Sequence, residues 1–141
     1  MRRVLWLVCI ALAARSAQAQ VEFRPGARTV GPFTEAVRVD NLLFLSGVLG
    51  TDSTGALAPG GIGPETKQAM ENIKAALARN GIGMDRVVKC TVFLADIAEW
   101  GAMNQVYATY FPTTKPARSA LGGVQLVRQG RLEIECIAAM R

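Results

Sequence analysis

Apolar residues recur at every second position in several short stretches of this chain and at every third or fourth position in two longer ones, the signature of strands interleaved with two amphipathic helices. After a short polar entry, Ala36-Val37-Arg38-Val39 and Leu42-Leu43-Phe44-Leu45 are apolar runs separated by Asp40-Asn41, a pair that tolerates the positive φ of a tight turn. This pattern predicts a β-hairpin. Ser46-Gly47 closes its second strand, and Gly50 to Gly63 is loop chemistry throughout. A helix is predicted from Pro64, with Ala69, Met70, Ile73, Ala76 and Leu77 on its apolar face, Lys67, Glu71 and Lys74 on the other, and Asn80-Gly81 as its stop.

Val87 to Leu94 is a β-branched run with apolar residues on both faces, as an interior strand requires. Asp96 and Glu99 have capping-box spacing and open a second helix, whose predicted buried stripe is Trp100, Met103, Val106, Tyr107, Tyr110 and Phe111 before Pro112 ends it. Strands around Ser119 to Leu126 and Leu132 to Met140 complete the order ββ-α-β-α-ββ. That order suits an α+β domain with one mixed sheet and both helices on one face. Its other face keeps apolar residues, so a partner subunit is expected to cover it.

The N-terminus departs from this pattern. Arg2-Arg3, an apolar run from Val4 to Ala13 and Ala17-Gln18-Ala19 read as a secretory signal peptide spanning 1–19, followed by one domain over 20–141. A permanent membrane anchor is the competing reading, but the run is shorter than the ~20 residues of a spanning helix. Cleavage would leave 122 residues, periplasmic or secreted, with no membrane attachment. It would also lower the net charge from +5 to +2, too weak a basic balance to indicate nucleic acid as a partner. Cys90 and Cys136 would remain, both within strand-like runs. Buried free thiols are the expectation, with pairing across neighbouring strands left open.

The chain has no histidine, which excludes Ser-His-Asp and Cys-His nucleophile systems and removes the commonest neutral-pH base and metal ligand. No metal site is expected. Two features could carry chemistry. In Pro116-Ala117-Arg118-Ser119 a proline-fixed lead-in sets an arginine at a strand start, where its fork can hold a carboxylate; a plain surface arginine is the alternative. In Leu132 to Ile137, Glu133 and Glu135 share one strand face, where they could orient water or simply be solvated.

Together with Gly31-Pro32-Phe33-Thr34-Glu35-Ala36-Val37, Leu45-Ser46-Gly47, Ala69 to Ala75, Val87 to Leu94 and Asn104-Gln105-Val106-Tyr107, these segments follow the order and approximate spacing of one known family. The chain resembles the RidA (YjgF) family of enamine/imine deaminases. The resemblance implies a chorismate-mutase-like fold, a homotrimer with ligand clefts between subunits, and hydrolysis of reactive 2-imino acids or enamines to 2-keto acids and ammonia without a cofactor. It places the substrate carboxylate on Arg118 and the attacking water on Glu133. Phe33, Ser46, Gly47, Asn104 and Ala120 would line the cleft. The chain departs from the family pattern at Phe33 in place of tyrosine, Val48 in place of glutamine, Ala120 in place of cysteine, and Gly122-Gly123 within a strand. The loss of the tyrosine hydroxyl keeps a second reading open, a non-catalytic protein that binds small carboxylates in the same cleft.

Overall fold

The computed structural model describes residues 18–26 and 32–141. The expected signal segment lies outside the described residues apart from Gln18 and Ala19, which are exposed. The elements are β1 (Val21–Arg24), β2 (Ala36–Val39), β3 (Leu42–Leu45), β4 (Val48–Leu49), α1 (Ile62–Arg79), β5 (Val87–Leu94), α2 (Trp100–Ala108), β6 (Ala117–Leu121) and β7 (Leu132–Ala139). They form one mixed sheet in the order β1-β2-β3-β7-β5-β6, with the short β4 also paired to β7. Pairing is antiparallel throughout except between β5 and β6. This is the α+β arrangement that the periodicity predicts.

The β2–β3 hairpin turns through Asp40, whose φ is 50°, and the Asp40 carboxylate accepts from the Gln20 amide at 2.9 Å. β1, unforeseen in the sequence, pairs along β2; its alternation is masked by Glu22 and Arg24, which pair with each other, while Glu22 also faces Arg38. Helix α1 begins at Ile62, two residues before Pro64. Asp96 caps a short 3₁₀ turn, Ile97–Glu99, through the Ala98 amide at 2.9 Å, and α2 continues from it. Of the predicted stripe, Met103, Tyr107 and Phe111 are buried while Trp100 stays 41 % exposed. β6 stops at Leu121, and at the following Gly122 the chain runs so close to Ile97 that a Cβ would collide with it.

The core lies between the sheet and the two helices. It joins Leu43 and Leu45 of β3, Cys90, Val92 and Leu94 of β5, and Leu132, Ile134, Cys136 and Ala138 of β7 to Ala69, Met70, Ile73 and Leu77 of α1 and Met103 of α2. Among the described residues no helix covers the opposite sheet face, and Leu42, Phe44 and Leu121 stand 41 %, 39 % and 47 % exposed there.

The cysteine expectation is corrected. Cys90 and Cys136 face each other in the β5–β7 register and form a disulfide. Closing a 46-residue separation removes unfolded-state entropy amounting to about 4 kcal/mol on the chain-entropy model. Reduction should therefore lower the urea midpoint of the folded protein, and peptide mapping without reductant should recover Cys90 and Cys136 in one linked fragment. Separate thiol-bearing peptides would contradict this pairing.

Candidate active site

Strand alternation decides where the candidate side chains go. Leu132, Ile134 and Cys136 of β7 are buried against the helices, so Glu133 between them is turned to the other side. Glu133 lies opposite Phe93 of β5 and Leu49 of β4. Its carboxylate packs over Gly47 so closely that any Cβ there would overlap Glu133 Oε1. Glycine is required at this point by the approach of the carboxylate to the backbone, since the residue's φ is not in the left-handed range.

Glu133, Gly47, Ser46 and the 62 % exposed Phe33 line one cavity of about 690 Å³. Ser46 does not present a free hydroxyl: its Oγ donates to the Thr34 carbonyl at 2.6 Å, fixing the segment that carries Phe33. The cavity rim is held from α1. The Asn72 amide donates to the carbonyls of Thr51 at 2.8 Å and Leu49 at 3.2 Å, and Gln68 orients it by donating to Asn72 Oδ1 at 3.0 Å. Asn72 was not singled out in the sequence, although an amide on the half-buried side of an amphipathic helix signals backbone groups that need a partner.

Arg118 occupies the other side of the sheet. In the parallel β5–β6 ladder it sits beside Cys90, so it shares the helix-covered face. Its Nη1 donates to Asn104 Oδ1 at 2.7 Å. The guanidinium carbon lies 4.8 Å from the Tyr107 ring centre and 5.6 Å from that of Trp100. Both rings therefore offer their negative faces to the cation. Asn104, Tyr107, Lys115 and Arg118 line a smaller cavity of about 250 Å³. Burial pushes the Tyr107 phenol up to about 12, against a smaller opposing effect of Arg118, so it stays protonated at neutral pH and cannot serve as a base. Ala120 follows on the same strand face, opposite Val92, and lines neither cavity.

One chain thus assembles Phe33, Ser46, Gly47 and Glu133 at one place and Asn104 with Arg118 at another, on opposite faces of one sheet. Each half has a plain capacity. The first offers a fixed carboxylate beside exposed backbone, and the second a guanidinium preoriented to grip an anion. No group of residues able to hold a metal occurs among the described residues.

A family model described as Endoribonuclease L-PSP matches residues 24–140. A mouse protein named 2-iminobutanoate/2-iminopropanoate deaminase is 44 % identical over 110 residues, covering 77 % of this chain and 82 % of its own. A goat protein of the same name is 46 % identical over 110 residues, covering 77 % and 80 %. Among solved structures, Escherichia coli TdcF with bound serine superposes with a TM-score of 0.74 at 31 % identity, covering 82 % of this chain and 92 % of that one.

Gly47→Ala should destabilise the fold by about 1–3 kcal/mol in urea unfolding, because the added methyl must displace Glu133. The control is Gly63→Ala in α1, where a Cβ meets nothing within 4 Å and helix propensity favours alanine by up to ~1 kcal/mol. Equal effects at the two positions would contradict the crowding at Gly47.

Proposed function

This chain belongs to the endoribonuclease L-PSP family, that of RidA (YjgF), and on that footing we propose that it hydrolyses reactive 2-imino acids, or their enamine tautomers, to 2-keto acids and ammonia. The observation that carries the reading is Glu133, a carboxylate held over Gly47 in a cavity with room for a small acid. The mouse and goat relatives, named as deaminases of this kind, support it.

The residues suit the reaction. A protonated imine carbon is already electrophilic, so a positioned water and a mild base suffice. Glu133 orients the water, takes its proton as the oxygen bonds to the iminium carbon, and returns it to the nitrogen of the resulting carbinolamine; the C–N bond then breaks as the hydroxyl oxygen closes to the carbonyl, and the departing ammonia takes up the hydroxyl proton to leave as ammonium. Arg118, preset by Asn104 and two aromatic rings, binds the substrate carboxylate through its free edge. Because Arg118 and Glu133 lie on opposite faces of one sheet, the complete site takes Arg118 from one copy and Glu133 from its neighbour in a homotrimer. The exposed Leu42, Phe44 and Leu121 support such packing through the helix-free face.

Export completes the reading. The basic, apolar and A-x-A pattern of residues 1–19 supports it, and so does the Cys90–Cys136 disulfide, since such bonds persist mainly in oxidising compartments. A mature protein starting at Gln20, seen by intact mass in the exported fraction, is expected; an uncleaved chain in the cytosol would contradict export.

Arg118→Ala should abolish hydrolysis of 2-iminopropanoate, followed as loss of the imine, with the fold intact. Glu133→Gln should keep carboxylate binding but slow turnover by at least about 100-fold. Mixed refolding of the two inactive variants should restore about a quarter of the wild-type rate, the statistical share of interfaces with both native groups. Full activity in either variant would remove that residue from the mechanism, and no recovery on mixing would place the site within one chain.

A further inference from the structure

Of the described residues lining the Glu133 cavity, only one other is charged, Arg128. It is the middle residue of a three-residue 3₁₀ turn, Val127–Gln129, in an unusual backbone state. Arg128 has φ 59° and ψ 13°, and Gln129 follows with φ 58°. Two successive non-glycine residues in the left-handed region are strained, and such strain persists where the surroundings over-determine it, commonly at ligand sites.

The guanidinium itself is held by a neutral oxygen. Its Nη1 donates to the Gly55 carbonyl at 3.1 Å. By contrast Arg24, Arg38, Arg79 and Arg131 each face a carboxylate. Among the described residues no acid neutralises Arg128, and most of its five donors remain for an incoming anion. Arg118 has the same character, a cation preset by a neutral acceptor.

We propose that Arg128 is a specificity-determining residue that receives a second carboxylate, so that the preferred substrates are 2-imino dicarboxylates. The inference rests on the reading above, in which Arg118 takes the first carboxylate and Glu133 serves the imino carbon. A substrate bridging Arg118 and Arg128 then carries its imino carbon past Glu133. A cavity of about 690 Å³ accommodates a four- or five-carbon diacid. The bond changes are those of the monocarboxylate reaction, so Arg128 acts in binding and leaves the chemical step alone.

The test compares 2-iminoglutarate with 2-iminopropanoate, each generated in the cuvette from the amino acid by an amino-acid oxidase. Wild type should show the lower KM for 2-iminoglutarate. Arg128→Ala should raise that KM roughly 10- to 100-fold, the loss of a charge-assisted hydrogen bond, with kcat within about twofold. Its effect on KM for 2-iminopropanoate should be under about threefold, and Arg128→Lys should recover part of the difference. Proportional losses for both substrates would make Arg128 a loop anchor and overturn the proposal, as would no loss for either. Calorimetric titration with 2-oxoglutarate and pyruvate reads the same preference without turnover. Tighter binding of 2-oxoglutarate that vanishes in Arg128→Ala sustains the subsite even if hydrolysis is absent, in which case the deaminase reading alone falls. Equal affinity for the two keto acids overturns the subsite.

Discussion

Antiparallel pairing of β7 against β5 is the constraint on which both the core and the chemistry rest. The register sets Cys90 against Cys136, Val92 against Ile134 and Phe93 against Glu133. The alternation that sends Leu132, Ile134, Cys136 and Ala138 into the core is the same one that turns Glu133 outward. A slip of one residue would bury the carboxylate and expose the aliphatic row, so hydrophobic burial itself fixes the position of the acid. The disulfide closes that register covalently at its centre.

Much of this was readable in the chain because the features are local. The alternation of Leu132 to Ile137, the spacing of Ala69, Met70, Ile73 and Leu77, and the Asp40-Asn41 turn each depend on neighbours within a few residues, and the structure places them as strand, helix and hairpin. What depended on distant pairing was hidden. β4 is two residues long and exists because β7 accepts it; β1 exists because β2 does. The cysteines stand 46 residues apart, and their union needs the strand register that sequence periodicity does not supply.

The candidate site divides along the same line. Arg118 and Glu133 both stand out by residue type, yet Ala117 to Leu121 alternates too weakly to show which sheet face its arginine takes. Only the parallel ladder with β5 assigns Arg118 to the helix side, beside Tyr107 and Asn104. Asn72 escaped notice because its partners, the carbonyls of Leu49 and Thr51, are more than twenty positions away. Arg128 carries no local mark at all, since neither it nor Gln129 is a residue type that announces a left-handed backbone.

Gly47 and Glu133 together give the cavity one wall that is continuous with the antiparallel β4–β7 ladder. The opposite rim, by contrast, is made of turns around Gly55 and Val127. Ladder and turn are therefore segregated within a single crevice. Substitutions in the turns can reshape the crevice while the Glu133 carboxylate keeps its station, so what the crevice admits can change without the strand pairing being rebuilt.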